Sequence, residues 1–399
     1  MSVSAWPEYA RLLADQLTAD GDLHSAAWRE AMLAVPRHVF VPRYYLQDAT
    51  TCPPAWVLHE PHDAASTARW LELVYSPTTL ITAIAQYADR GVQTPVSSST
   101  KPDLMIRMLE ALQVEDGMRV LEIGTGSGYN AALLAHRLGD RNVCSVDIDP
   151  ALIDDAGSRL AGLGRYPTLV AADGADGLAG YAPFDRLVAT CSMQRVPPEW
   201  IQQLGPDGRV LVHLEGPLGA GNLVALSMED AGVLQGRFLP WWGCFMRRRS
   251  RYGPTTGTPR PVPTTETPTT RHTTVDPSEL DGGRPFPFLA QLYLPSGMLR
   301  SIRATDALRA ISRLAAPDGS WCEIARTPEA AGCYTLREAG PTPLWARVEE
   351  AWTEWIELGR PAMHEFGITA TPTAHRIWLS DPEKGPHWDL PVPNGSGSQ

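Results

Sequence analysis

No stretch of this chain approaches the 18 or so consecutive apolar residues that a helix needs to cross a bilayer, so no segment reads as a membrane span. Cysteine is sparse. The six present (Cys52, Cys144, Cys191, Cys244, Cys322 and Cys333) form no CxxC pair. That argues against a structural zinc site or a disulfide framework and favours reduced core thiols. No metal is expected. Positive charge is also short: 34 Lys and Arg stand against 45 Asp and Glu, for a formal net charge of -11. Such a balance speaks against a broad nucleic-acid surface. Met1 to Ala14 carries Glu8 and Arg11 and lacks the basic-then-apolar pattern of a signal peptide, so a cytoplasmic location is expected. Internal repeats are absent. What is plentiful is apolar side chain: 43% of 399 residues, enough for two or three domains with their own cores.

Composition and periodicity divide the chain. From Pro254 to Thr270, 13 of 17 residues are Pro or Thr. Such a stretch cannot build a core and reads as an extended linker or long surface loop. The expected division is a helical region over 1–95, a cofactor-binding core over 96–250, a linker over 251–275 and a C-terminal accessory α+β domain over 276–399. Helical spacing marks Asp15 to Val35 and Leu104 to Leu112. From Arg119 onward short apolar strands alternate with helices. The strands are expected at Arg119–Ile123, Val143–Asp147, Thr168–Ala172, Asp185–Ala189, Arg209–Val212 and Leu223–Leu226. The helices are expected at Asn130–Arg137 and Pro150–Leu160. This alternation implies an α/β, doubly wound parallel sheet covered on both faces. Further on, Trp345, Val348, Trp352, Trp355 and Ile356 share one helix face, stopped by Gly359 and Pro361. The stripe is either core or the lining of a peptide groove.

The sharpest local signal is Glu122-Ile123-Gly124-Thr125-Gly126-Ser127-Gly128-Tyr129-Asn130, between a strand and a helix. Glycine permits the tight turn and the close approach of a ligand, and the next helix presents amide groups at its N-terminus. Alone, the loop indicates only a nucleotide-type cofactor. A nicotinamide-binding GxGxxG loop would place the third glycine one residue later. Asp147 closes the second strand, where a carboxylate accepts both ribose hydroxyls of NAD or of S-adenosylmethionine. Asp173-Gly174 follows the third strand, where a carboxylate can take an adenine amino group. Three features at three consecutive strand ends narrow the cofactor to S-adenosylmethionine. The plain alternative is that Asp147 and Asp173 are loop or capping acids.

Several segments then become specific. Val35-Pro36-Arg37-His38-Val39-Phe40-Val41-Pro42, Ser98-Ser99-Thr100-Lys101-Pro102, Val120 to Asn130, and Val143 to Asp147 resemble, in order and spacing, motifs of the protein-L-isoaspartate O-methyltransferases. So do Asp173-Gly174, Val196 to Glu199, and Leu204 to Val210. The resemblance covers about residues 10–250. It implies a class I (Rossmann-like) methyltransferase fold and methyl transfer from S-adenosylmethionine to a peptide carboxylate, usually isoaspartate, leaving S-adenosylhomocysteine. The implied cofactor contacts are Ser98, Ser99, Glu122, Gly124, Thr125, Gly126, Ser127, Gly128, Asp147, Ile148, Asp173 and Gly174. In the family a serine of the T-I-S-Q-P segment orients the carboxylate. Its register here is Thr100, with Ser99 beside it. The bland reading of Thr100 is a cap for the helix beginning near Pro102.

Three departures separate this chain from the small repair enzymes: the C-terminal extension, a longer stretch between Pro42 and Ser97, and Phe245-Met246-Arg247-Arg248-Arg249-Ser250-Arg251 near the end of the core. That basic run is either solvated surface or an attraction for an acidic peptide. The combination resembles the extended family branch associated with lanthipeptide and other ribosomal-peptide pathways, whose members methylate an ordinary aspartate that then closes to an aspartimide. On that resemblance the partner is a modified precursor peptide, bound with help from the 1–95 and C-terminal regions by a monomeric enzyme. The alternatives are isoaspartate repair, a nicotinamide oxidoreductase on a similar sheet, and a catalytically silent peptide-binding module.

Overall fold

The computed structural model describes residues 3–48, 50–51, 55–87, 92–250, 267–282, 285–304, 310–329 and 332–390. The Cys52-Pro53-Pro54 segment, Arg251 and most of the Pro/Thr stretch lie outside the described residues. Two compact units are present: 1–191 with 202–211, and 192–201 with 212–399.

The first unit opens with α1 (Trp6–Ala19), α2 (Ala26–Ala34) and α3 (Arg37–Phe40). One helix was expected over 15–35, and two are found. Gly21 at φ 76° cannot continue a helix, and the Ser25 side chain caps α2 by accepting from Trp28 N–H. Next come β1 (Tyr44–Asp48), β2 (Ala55–His59), α4 (Ala64–Val74), β3 (Leu80–Tyr87) and β4 (Val92–Ser99). The four strands form a sheet in the order β2-β1-β3-β4, antiparallel at β1–β2, β1–β3 and β3–β4. The region expected to be helical over 1–95 is therefore helical only to Phe40 and around α4. These strands are short and mostly half-exposed, so they carry little of the apolar periodicity that betrays a core strand.

The doubly wound core follows: α5 (Pro102–Leu112), β5 (Val120–Ile123), α6 (Tyr129–Leu138), β6 (Val143–Asp147), α7 (Pro150–Gly162), β7 (Thr168–Ala171), β8 (Phe184–Met193), α8 (Pro198–Gln203) and β9 (Leu204–Glu215). The strand order is β9-β8-β5-β6-β7, with β8, β5, β6 and β7 mutually parallel. Every side chain of β5 and β6 is buried, as expected of parallel strands covered on both faces. From β7 the chain returns to the other side of β5. That reversal opens a crevice at the carboxyl ends of β5 and its neighbours, where ligands bind in such sheets.

The second unit contains β10 (Gly221–Asp230), β11 (Val233–Phe238), β12 (Thr269–Thr273), α9 (Pro285–Leu292), β13 (Leu299–Ala304), β14 (Ala310–Ala315), β15 (Trp321–Ala325), β16 (Tyr334–Ala339), α10 (Leu344–Glu357), β17 (Phe366–Ala370), β18 (His375–Leu379) and β19 (His387–Asp389). Its strands are ordered β10-β11-β17-β18-β19 and β12-β16-β15-β14-β13, all antiparallel. Here the expected parallel continuation fails, because the short turn from Asp230 to Val233 can only return the chain antiparallel. The expected boundary at 251–275 also differs. Strand β11, before the Pro/Thr stretch, pairs with β17, after it, through Leu234–Ala370 and Gly236–Ile368. Strand β12 occupies part of the expected linker. Composition located a loop, and sheet pairing carries the unit across it.

The tryptophan stripe is core. On α10, Trp345, Val348 and Trp355 are buried, and Trp345 Nε1 donates to Thr273 Oγ1 at 2.9 Å. Phe286 of α9 meets Trp352 edge-on at 4.8 Å. Ile356, expected on the same face, is 47% exposed. Trp345→Ala should lower the stability of the second unit by about 3–5 kcal/mol, the usual cost of emptying a large aromatic site. Urea denaturation followed by tryptophan fluorescence and circular dichroism measures it. A loss below about 1 kcal/mol would mean that this face is not core.

Candidate functional site

The glycine loop is built by close packing. Gly124, Gly126 and Gly128 have φ of 98°, 51° and 88°, values that disfavour any side chain. A Cβ on Gly124 would lie 2.6 Å from Thr190 Oγ1, and one on Gly128 would lie 2.9 Å from the Ala156 Cβ of α7. Thr190, at the end of β8, donates to the carbonyl of Gly124 at 2.7 Å. Gly174 has an ordinary φ, but a Cβ there would sit 2.4 Å from Ile123 Cγ2. Glycine at these positions lets three strand ends converge.

The acids take different places. Glu122 is fully buried, accepting from Asn130 Nδ2 at 2.8 Å and Ser145 Oγ at 2.6 Å. Thr125 Oγ1 and Ser145 Oγ are 2.6 Å apart. Glu122 and Thr125, both expected as cofactor contacts, therefore turn into the protein and brace the loop from beneath. Ser127 likewise offers its Oγ to Tyr129 N–H and its carbonyl to Arg159. Burial pushes the Glu122 carboxyl up to about 7, against the pull of its two hydrogen bonds. Asp147 closes β6 and accepts from Gly126 N–H at 2.9 Å and Asp149 N–H at 3.1 Å. Ile148 follows it, half-buried. Asp173 accepts from Ala175 N–H and so caps a short 3₁₀ turn, as the bland reading anticipated. Capping does not remove it from the crevice, because it sits at the carboxyl end of β7.

Strand β4 delivers the third component. A Cβ on Gly126 would stand 3.6 Å from Ser97 Oγ and 3.7 Å from the Ser98 carbonyl, so the end of β4 lies against the loop. Ser99 and Thr100, expected as one catalytic pair, are separated. Ser99 is 3% exposed, and its Oγ accepts from Arg37 Nη2 at 3.2 Å. Thr100 is half-buried. It does not cap α5, whose N-cap is Lys101, and among the described residues its hydroxyl has no hydrogen-bond partner.

The VPRHVFVP segment, marked in sequence only as a motif, turns out to be structural support. Arg37 is fully buried and reaches 74–78 and 99–100. His38 Nδ1 lies 2.9 Å from Tyr75 Oη among Trp6 and Trp70, and burial lowers its ring to about 4. Phe40 packs at 5.9 Å from the Tyr129 ring, beneath Gly128. In the second unit the basic run is partly neutralised: Arg247 Nε and Nη2 both donate to Glu215 Oε1, at 3.0 and 2.8 Å. Among the described residues no cluster of His, Cys, Asp and Glu is arranged to hold a metal ion, and no helix is long and apolar enough to cross a membrane.

Known proteins match this arrangement. The family model described as protein-L-isoaspartate(D-aspartate) O-methyltransferase (PCMT) matches residues 75–230. A protein-L-isoaspartate O-methyltransferase of Anaeromyxobacter dehalogenans is 42% identical over 164 residues, covering 39% of this chain and 77% of that protein. The chain belongs to the protein-L-isoaspartate O-methyltransferase family. A family member from Fervidobacterium nodosum is 39% identical over 113 residues, which is 28% of this chain and only 57% of that protein's length. A solved protein-L-isoaspartate O-methyltransferase superposes with a TM-score of 0.55 at 21% identity, covering 93% of this chain and all of its own. A fold reaching well beyond the core is therefore found in another solved protein of that name.

Glu122 yields a pH prediction. Its pKa is raised on folding, so its stabilising contribution is complete below the unfolded value of about 4.5 and is lost as pH rises through about 7. Glu122→Gln should therefore gain thermal stability relative to wild type as pH goes from 5 to 8. Paired melting curves measure this, and a difference in Tm that does not change with pH would refute the raised pKa.

Proposed function

We propose that this chain transfers the methyl group of S-adenosylmethionine to the side-chain carboxylate of an aspartyl residue in a peptide. What carries the reading is the meeting of three elements in one unit: the positive-φ glycine loop, Asp147 at the end of β6, and the end of β4, whose Ser97 and Ser98 lie against Gly126 and which leads directly into Thr100. The residues suit the cofactor. Two backbone amides orient Asp147, and a carboxylate has about four acceptor sites, so it can also take ribose hydroxyls. Asp173 and Ile148 stand at the neighbouring strand ends to receive the adenine.

S-adenosylmethionine supplies an electrophilic methyl group when bound. The acceptor carboxylate, with an ordinary pKa of about 3.9, is ionised at neutral pH and requires no base. The residues of this chain act by alignment, for which effective molarities reach about 10⁵–10⁸ M. Thr100 donates a hydrogen bond that holds one carboxylate oxygen. A neutral donor suits the step, because the acceptor's charge disappears as the ester forms. Loss of methanol to attack by the next backbone amide then gives a succinimide.

The relatives' names point to isoaspartate. A narrower reading, which we favour, is an ordinary aspartate in a ribosomally made, lanthipeptide-like precursor. It rests on the sheet inserted before Ser97, where Tyr44, Leu46, His59, Arg69, Trp70 and Leu73 line an open groove. Leu46, Val57 and Leu58 of the same hairpin are exposed. The C-terminal unit does not separate the two readings, since the fold of a solved protein with the family name covers 93% of this chain.

Asp147→Ala should weaken binding of S-adenosylhomocysteine, measured by calorimetry, by roughly 1.5–3 kcal/mol per lost hydrogen bond to the carboxylate. Unchanged affinity would place the ribose elsewhere. Matched Asp and isoAsp peptides incubated with labelled S-adenosylmethionine test the acceptor, and Thr100→Ala should reduce kcat in the active reaction. Efficient turnover of a simple isoAsp peptide would sink the precursor reading and leave repair. Absence of methylation in both peptides and in co-expressed precursors would sink methyl transfer.

A further inference from the structure

Arg37 is an unusual way to hold a turn. Its side chain is wholly buried, and among the described residues no carboxylate forms an ion pair with it. Nη1 donates to the carbonyls of Val74 and Ser76, the latter at 3.3 Å. Nη2 donates to the Thr78 carbonyl at 3.4 Å, to Ser99 Oγ at 3.2 Å and to the Thr100 carbonyl at 3.1 Å. The guanidinium carbon stands 5.8 Å from the ring centroid of Tyr129, the first residue of the helix after the glycine loop. Burying a cation with no carboxylate in direct contact is costly even when carbonyl dipoles surround it and Asp103 offsets part of the charge from a distance. Tying two loops together does not require that charge. A planar fork does explain the choice, since its two terminal nitrogens span the 74–78 segment and the end of β4 at once, while the buried Nε has no partner.

We infer that Arg37 is the positioning residue of the methyl-acceptor site, setting the place of the Thr100 hydroxyl through its bonds to Ser99 Oγ and the Thr100 carbonyl. The inference rests on the methyltransferase reading above. Ser99 is the tether, its oxygen occupied from the protein side. Thr100, one residue on, is held by its own carbonyl while its hydroxyl has no partner. Direct contact with the acceptor is not needed, and a bare cation there would be unhelpful. Anionic carboxylate and cationic sulfonium cancel as the new bond forms, so an exposed positive charge would favour the separated reactants. Wrapping Arg37 in carbonyls keeps its geometry and spreads its charge.

Arg37→Lys keeps the charge and loses the fork. With full-length protein and the better of the two matched peptides, its kcat should fall at least about tenfold, as misplacement of an aligning group costs up to 10². The peptide KM and the calorimetric Kd for S-adenosylhomocysteine should stay within about threefold of wild type. Backbone amides at 99–101 should exchange hydrogen faster in the variant. In Arg37→Ala, millimolar guanidinium should restore turnover and methylammonium should not. A kcat for Arg37→Lys within twofold of wild type would overturn the inference. So would loss of cofactor affinity in step with kcat, which indicates a general structural role. Wild-type protein that methylates neither peptide nor precursor would instead overturn the methyl-transfer reading itself.

Discussion

The buried guanidinium of Arg37 decides where the end of β4 stands in the first unit. It is the only described side chain that hydrogen-bonds both the 74–78 segment and the Ser99–Thr100 end of β4. Its neighbours in the chain extend the same hold. His38 fills an aromatic cluster with Trp6, Trp70 and Tyr75, and Val41 supplies the carbonyl that receives Trp70 Nε1. Phe40 reaches under the glycine loop. One eight-residue segment thus supports both the wall formed by β4 and the floor formed by α6.

The floor depends on a different principle, the removal of side chains. Gly124 gives way to Thr190, Gly128 to Ala156, and Gly174 to Ile123. Each contact would be closed by a single Cβ. Beneath them Glu122 accepts from Asn130 Nδ2 and Ser145 Oγ, and Thr125 Oγ1 meets the same serine, while Asn130 Oδ1 is buried without a partner. Asp147 sits at a strand end and accepts from the backbone amides of Gly126 and Asp149. Two acids with the same formal chemistry thereby differ in their partners: Glu122 is held by side chains inside the network, and Asp147 ends its strand beside backbone amides.

Much of this was legible in the residues. The strands at 120–123, 143–147 and 168–171 and the helices between them lie within a residue or two of their apolar periods. Their signal is strong because parallel strands are buried on both faces. The hairpin sheet at 44–99 was not legible, since half-exposed strands of mixed composition carry no clear period. Nor was the division at 15–35, where Gly21 and Ser25 outweighed a continuous helical spacing. The Pro/Thr stretch misled for a physical reason: composition reports the loop itself and says nothing about which strands pair across it. Those pairs are non-local, as in β11 with β17.

By itself the sequence determined the glycine loop, the strand-end acids and the family, because each is written in consecutive residues whose backbone demands are local. Glycine at 124, 126 and 128 and aspartate at 147 need no partner to be recognised. Only the tertiary structure decided that Glu122 is locked in a buried network, that Ser99 is held by Arg37 while the Thr100 hydroxyl has no partner among the described residues, and that Arg37 joins segments some forty and sixty residues away. Those facts follow from burial and from long-range hydrogen bonds, and no local pattern encodes either.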